Sequence, residues 1–210
     1  MKYFGMPLGM WALFSKSYRK NLDIFNIDEK EGKVVTKSSK KMYKDIIKKI
    51  PDFEKKDRFK MNIVSCAMFI AFLLNIKNKP SLDDVIKWYN QSMNTRLLHL
   101  FCKISGKSKF KNKTYVSLTK TAELKTGDRN PYSWNMEFYP YSDDSGYEVR
   151  FTKCGICHLL KEYGLFEYTK AMCELDYTMS DLGGASIFKR EHTIASGGEY
   201  CDCGYYKKGN

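Results

Sequence analysis

The chain has 210 residues, of which 43% are hydrophobic and 15% aromatic. That apolar share excludes an intrinsically disordered chain, and 14 glycines with 5 prolines exclude collagen-like and low-complexity classes. Lys and Arg number 36 against 24 Asp and Glu, a net charge of +12 that attracts anions in general without choosing among them.

The opening stretch MKYFGMPLGMWALF is apolar but interrupted by Gly5, Pro7 and Gly9. Phe14 stands where a signal-peptidase site needs a small residue, so a cytoplasmic location is expected. Met42, Tyr43, Ile46, Ile47 and Ile50 recur at helical spacing among lysines and predict a helix over 39–50, ended by Pro51. A second helix is predicted over roughly 54–76. Its run Met61–Ile76 spans about 24 Å as a helix, short of the roughly 30 Å of a bilayer core, which makes it a buried central helix. Pro80-Ser81 ahead of Asp83 and Asp84 starts a third, predicted to run to about Ile104. Residues 103–130 scatter lysines without a period and are read as a basic connector with a short helix near 114–126. They contain neither a helix-turn-helix pattern nor a run of stacking aromatics, so no nucleic-acid partner is expected.

The periodicity then changes from 3.6 to 2. Trp134, Met136 and Phe138, then Tyr147, Val149 and Phe151, alternate with polar residues around Asp143-Asp144-Ser145-Gly146 and predict a hairpin. A helix pair follows at about 155–163 and 166–182, stopped by Gly183-Gly184. A last hairpin is predicted with arms 185–195 and 200–206. The fold class is therefore α+β, with a helical half over 1–105 and a four-stranded antiparallel sheet of two hairpins separated by the helix pair over 131–208, in a single domain.

Five of the seven cysteines fall in the last 60 residues. The odd count argues against a disulfide framework. Cys154-Gly-Ile-Cys157-His158 matches a haem-attachment pattern, but that chemistry needs an oxidising compartment. Cys154-x-x-Cys157 with Cys201-x-Cys203 could supply four thiolates to zinc, yet Cys-x-Cys on a strand is poorly arranged for it. Free thiols, no metal and no cofactor are expected. Along the second helix of the pair, Tyr168, Met172, Leu175, Met179 and Leu182 form an apolar stripe. Thr169, Cys173, Asp176 and Ser180 run beside it. That second line is either a solvated flank or a pocket wall offering a thiol and a carboxylate. In the closing hairpin, Arg190 and His192 are expected on one strand face with Phe188 and Ile194. An Arg in such company needs an anionic partner, either Asp176, Asp202 or a ligand carboxylate.

These residues carry a resemblance. Phe151-Thr-Lys-Cys154, Cys173-Glu-Leu-Asp176, Phe188-x-Arg190 and Thr193-Ile-Ala-Ser-Gly197-Gly-Glu-Tyr-Cys201-Asp202 resemble, in order and spacing over about 145–206, the L-2-amino-thiazoline-4-carboxylic acid hydrolase family. MPLGMWALFSKSYR and DRNPYSWN resemble a sub-branch of it, and Cys203 stands where the family usually has an aromatic residue. The resemblance implies hydrolytic opening of a cyclic amidine carboxylic acid to an N-carbamoyl amino acid. Cys201, Asp202, Cys173, Asp176 and Cys154 are then the catalytic candidates, with Arg190 and His192 binding the substrate. The alternative is a non-catalytic sensor binding a small ligand in a Cys-rich pocket. The expected partner is a small-molecule carboxylate, with no membrane contact; self-association into a homo-oligomer stays open.

Overall fold

The computed structural model describes residues 6–54 and 57–209, with side chains from residue 9 onward. In chain order the elements are α1 (Met6–Lys20), α2 (Glu29–Lys49), α3 (Lys60–Leu73), α4 (Leu82–Met93), α5 (Arg96–Ser108), α6 (Asn112–Lys125), β1 (Asn135–Pro140), β2 (Gly146–Lys153), α7 (Gly155–Glu162), α8 (Thr169–Gly183), β3 (Ser186–Lys189) and β4 (Cys201–Lys207). They gather into two compact units, Met1–Asn94 with Ile156–Met172, and Thr95–Gly155 with Cys173–Asn210.

In the first unit, local signals set the helix ends. The interrupted N-terminal stretch folds as α1 because Pro7 sits in its first turn, where a missing N–H leaves no helical bond unmade. Gly5 lies outside the described residues. Helix α2 starts well ahead of the predicted residue 39, because Asp28 accepts the Glu31 amide as an N-cap and Glu29 and Glu31 favour the first turn. Helix α3 starts at Lys60 instead of residue 54, behind an Asp57 carboxylate that accepts the Phe59 amide at 2.8 Å; residues 55–56 lie outside the described residues. Every residue of α3 from Ile63 to Leu73 is buried, which is why its apolar run shows no amphipathic face. Around it, Tyr18 meets Trp88 edge-on at 4.9 Å, and Phe69 meets Tyr89 at 5.0 Å. The indole Nε1 of Trp88 donates to the Tyr18 carbonyl at 3.1 Å. Fully buried rings such as Phe69 and Phe72 contribute about 1.5–3 kcal/mol each. The predicted third helix is in fact two. It breaks at Asn94, and Thr95 caps α5 by accepting the Leu98 amide at 3.3 Å.

In the second unit the sheet is antiparallel with order β1-β2-β4-β3, so the two hairpins join through β2 and β4. The first hairpin forms as predicted, and Asp143 turns the chain by accepting the Ser145 amide at 2.9 Å. The second is shorter than predicted. Strand β3 ends at Lys189, and residues 190–200 form a loop with one 3-10 turn over Ile194–Ser196. The reason is local. The Asp202 carboxylate takes the amides of Glu191 and His192, and Thr193 and Ser196 cap each other's backbone, so those groups have no ladder partner to seek. The pairs Phe151↔Cys201, Val149↔Cys203 and Phe188↔Tyr205 place Cys201, Cys203 and Tyr205 on one face with the apolar residues. On the other face Arg150 pairs with Glu148 at 2.6 Å and lies over the rings of Tyr139 and Tyr200.

The stretch read as a basic connector is mostly α5 and α6, followed by a tied loop. Buried Lys125 donates to Asp128 and to Ser133, each at 2.7 Å. Ser133 donates to the same Asp128 oxygen at 2.7 Å, and Lys153 donates to the carbonyls of Asp128 and Asn130. Just beyond Lys153 and Cys154, a Cβ on Gly155 would lie 2.0 Å from the Tyr132 carbonyl oxygen, so only glycine permits this approach. The loop thereby anchors the end of β2 that carries Cys154. Burial works to raise the Asp128 carboxyl, but the hydrogen bonds from Lys125, Ser133 and the Asn130 amide outweigh it and hold its pKa at about 2. Because the folded value lies below the unfolded one, the stabilisation is complete above about pH 4 and is lost as pH falls through about 2. Its size is on the order of 2 kcal/mol. Urea denaturation of Asp128→Asn should show a loss of that size at pH 7, shrinking toward zero by pH 2.

Candidate functional site

Helix α8 carries Cys173, Asp176 and Tyr177 within little more than one turn, so they project toward neighbouring parts of its surface. The ring of Tyr177 meets Phe188 of β3 edge-on at 4.8 Å, and Phe188 meets Tyr205 of β4 at 5.0 Å, which seats this stretch of α8 on the cysteine face of the sheet. Just after β3, Arg190 turns back onto α8. One terminal nitrogen, Nη1, donates to Asp176 Oδ2 at 2.8 Å, and the other, Nη2, donates to the Cys173 carbonyl at 2.8 Å. Its guanidinium carbon lies 5.2 Å from the ring centres of both Tyr177 and Phe188. Of the alternative partners expected for Arg190, the fold supplies Asp176.

The pair is asymmetric. The Arg190 side chain is 5% exposed, whereas that of Asp176 is 44% exposed. Only Oδ2 of Asp176 is engaged by a described residue, which leaves the acceptor capacity of Oδ1 unused. Burial pushes the Asp176 carboxyl above the ordinary carboxylate range, with the Arg190 charge pulling the other way. Burial also opposes the Arg190 charge, but Asp176, Cys173 and Cys203 more than offset it, and the guanidinium stays protonated.

Three expected cysteines join this pair. Cys154, Cys173 and Cys201 lie within electrostatic reach of one another, and Cys173 and Cys201 within reach of Arg190 and Asp176. Burial pushes the Cys173 thiol up to about 12, and raises those of Cys201 and Cys203. The Cys201 sulfur accepts the Ile194 amide at 3.3 Å. At neutral pH these groups are thiols, not thiolates. The fold thus collects Cys154, Cys173, Asp176, Arg190 and Cys201; of the polar line on α8, Cys173 and Asp176 belong to this cluster, whereas buried Ser180 hydrogen-bonds Ser186.

Two expected residues stand elsewhere. Asp202 occupies the opposite face of β4 from Cys201 and holds the amides of Glu191 and His192, the latter at 2.6 Å. The His192 side chain is exposed, with its ring 6.1 Å from that of Tyr200. The face it was expected to share with Arg190 does not exist, because β3 has ended before either residue. Two residues outside the sequence-based set belong to the cluster. Cys203 lies two residues from Cys201 on the same face, within electrostatic reach of Arg190 and Asp176. Lys109, just after α5, is electrostatically coupled to Asp176. Nothing in the spacing of its lysine-rich segment singles it out.

Among the described residues no group of three or more His, Cys, Asp or Glu side chains is placed to hold a metal ion, and no helix is long and apolar enough to cross a membrane. A cavity of about 410 Å³ lies on the first unit, lined by residues such as Asp28, Glu31, Val35 and Lys77, and none of the clustered groups borders it.

Asp176→Asn leaves the buried Arg190 charge without its counter-ion. The open side of Asp176 moderates the loss, which should be about 1–3 kcal/mol in urea denaturation. Asp202→Asn should cost less, since its amide oxygen still accepts a backbone N–H. Equal stability of Asp176→Asn and the parent protein would show that the pair contributes nothing to the fold.

Searches of curated proteins and of solved structures found no match. A family model does match, over residues 61–205, more than half of the chain and inclusive of the whole cluster around Asp176 and Arg190; the chain belongs to the L-2-amino-thiazoline-4-carboxylic acid hydrolase family.

Proposed function

We propose that the protein hydrolyses a small cyclic amidine carboxylic acid, of the 2-amino-thiazoline-4-carboxylate kind, to an N-carbamoyl amino acid. The observation that carries the reading is Asp176. It is a carboxylate with one oxygen held by a buried guanidinium, one oxygen free, and a pKa raised by burial, beside a set of thiols.

The reaction needs water to add at the amidine carbon between ring nitrogen and ring sulfur, and the carbon–sulfur bond then to break. In the proposed sequence Asp176 Oδ1 takes a proton from the water as its oxygen bonds to that carbon. The ring nitrogen, which takes the C=N bonding pair on attack, receives the hydroxyl proton of the tetrahedral adduct as the urea carbonyl forms, the ring sulfur leaves with the bonding pair, and Asp176 returns its proton to that sulfur. One water is consumed, one C–S bond is broken and the carboxyl ends as it began. Arg190 keeps Asp176 oriented and ionised before attack. The protonated state of Cys173 and Cys201 favours activated water over a thiolate nucleophile, because a thiol pushed up to about 12 offers a negligible anionic fraction at neutral pH.

Mass spectrometry of products from a panel of thiazoline and cyclic amidine acids tests this directly. The expected product has gained one water and carries a new free thiol. Asp176→Asn should lower kcat by about 10²–10⁴-fold, while Cys173→Ser and Cys201→Ser retain turnover. As a base, Asp176 must be ionised, so kcat/KM should fall as pH drops through its raised pKa, above the usual carboxylate range. Binding of these acids without any product would move the protein to the ligand-sensor class.

A further inference from the structure

Helix α5 meets α8 backbone to backbone. A Cβ on Gly106 would lie 2.2 Å from the Gly183 carbonyl oxygen, and one on Gly183 would lie 3.3 Å from the Cys102 carbonyl oxygen. Glycine at 106 is what permits the approach. The contact sets Lys109 against the start of β3. Its Nζ donates to Ser186 Oγ at 3.2 Å and stands 3.9 Å from the centre of the Tyr205 ring. Ser186 is buried and shares a 2.8 Å hydrogen bond with Ser180.

These are neutral partners. Among the described residues Lys109 forms no ion pair, and an ammonium group has three donors, of which Ser186 engages one. Burial lowers the pKa of the amine to about 8, against the pull of Cys102 and Asp176, so it is mostly cationic at neutral pH. Arg190, the other cation of the cluster, is 5% exposed and already committed to Asp176 and the Cys173 carbonyl. Lys109 is thus a half-buried cation with open donors and no bonded anion, Asp176 acting on it only through space.

We infer that Lys109, with Ser186 and Tyr205, forms the subsite that receives the carboxylate of the ring substrate, an assignment that rests on the hydrolase reading above. Tyr205 and Cys203 are successive residues on one face of β4, about 7 Å apart, which is the length of a five-membered ring acid. An acid group at Lys109 therefore leaves its ring beside Cys203 and Asp176. One ammonium, held in place by the buried Ser186 hydroxyl, suits a monoanionic carboxylate; a phosphate dianion would call for more donors.

The test is isothermal titration with L-thiazolidine-4-carboxylate, whose saturated ring cannot be hydrolysed at an amidine carbon, with its neutral carboxamide, and with inorganic phosphate. The wild-type protein should bind the acid about ten- to a hundred-fold more tightly than the amide. Lys109→Met should abolish that preference, and Lys109→Arg should retain part of it. In the wild type the preference should fade as pH rises through about 8, where the amine loses its proton. Melting temperatures report whether each variant folds; if Lys109→Met does not, Lys109→Arg and the wild-type pH dependence decide. No acid-over-amide preference in the wild type, a preference unchanged in Lys109→Met, or tighter binding of phosphate overturns the subsite. An acid preference that depends on Lys109 in a protein that opens no ring upholds the subsite and removes the hydrolase reading. Ring opening with an unchanged preference in Lys109→Met does the reverse.

Discussion

A guanidinium cannot shed its proton in a protein, so the fold of the second unit must supply an anion wherever it buries Arg190. It does so with Asp176, one turn into the part of α8 that belongs to that unit, and adds the Cys173 carbonyl for the second nitrogen. Much else follows from meeting that demand. Strand β3 must stop at Lys189 for Arg190 to turn back, Asp202 must hold the freed amides of the loop, and Tyr177 must lie on Phe188 to bring α8 within reach. The cysteine face of β4 is then enclosed by the same helix, and its thiols rise in pKa because they are buried.

The asymmetry of the pair gives it chemical use. Had both partners been enclosed, the carboxylate would be purely structural. With Arg190 enclosed and Asp176 open, the guanidinium orients the carboxylate without consuming its second oxygen. Glycines at 106 and 155 serve the same region from a distance, one by letting α5 lie against α8, the other by packing the end of β2 against the tied loop at Tyr132. The Lys125–Asp128–Ser133 network fixes that loop with hydrogen bonds in place of apolar contacts, and this explains how a polar, basic stretch is ordered at all.

The hairpin over β1 and β2, the helix pair α7 and α8, and the apolar helix α3 were legible in the sequence because each rests on a local signal: period-2 alternation, a glycine stop, an unbroken apolar run. The motif residues Cys154, Cys173, Asp176, Arg190 and Cys201 were legible as a set through their order and spacing. The start of α2 was missed because its signal, the Asp28 cap, lies far from the apolar residues that mark the helix. The break at Asn94 was missed because Thr95 restarts a helix with almost no interruption in pattern.

By itself the sequence determined the α+β class, the antiparallel hairpins and the family, since period, turn residues and motif order are properties of neighbours along the chain. Only the tertiary structure decided which anion meets Arg190, that Asp202 and His192 stand apart from the cluster, and that Lys109 joins it. Those outcomes depend on burial and on contacts between residues tens of positions apart. The cost of enclosing an unpaired charge selects among them, and that cost does not exist until the chain has folded.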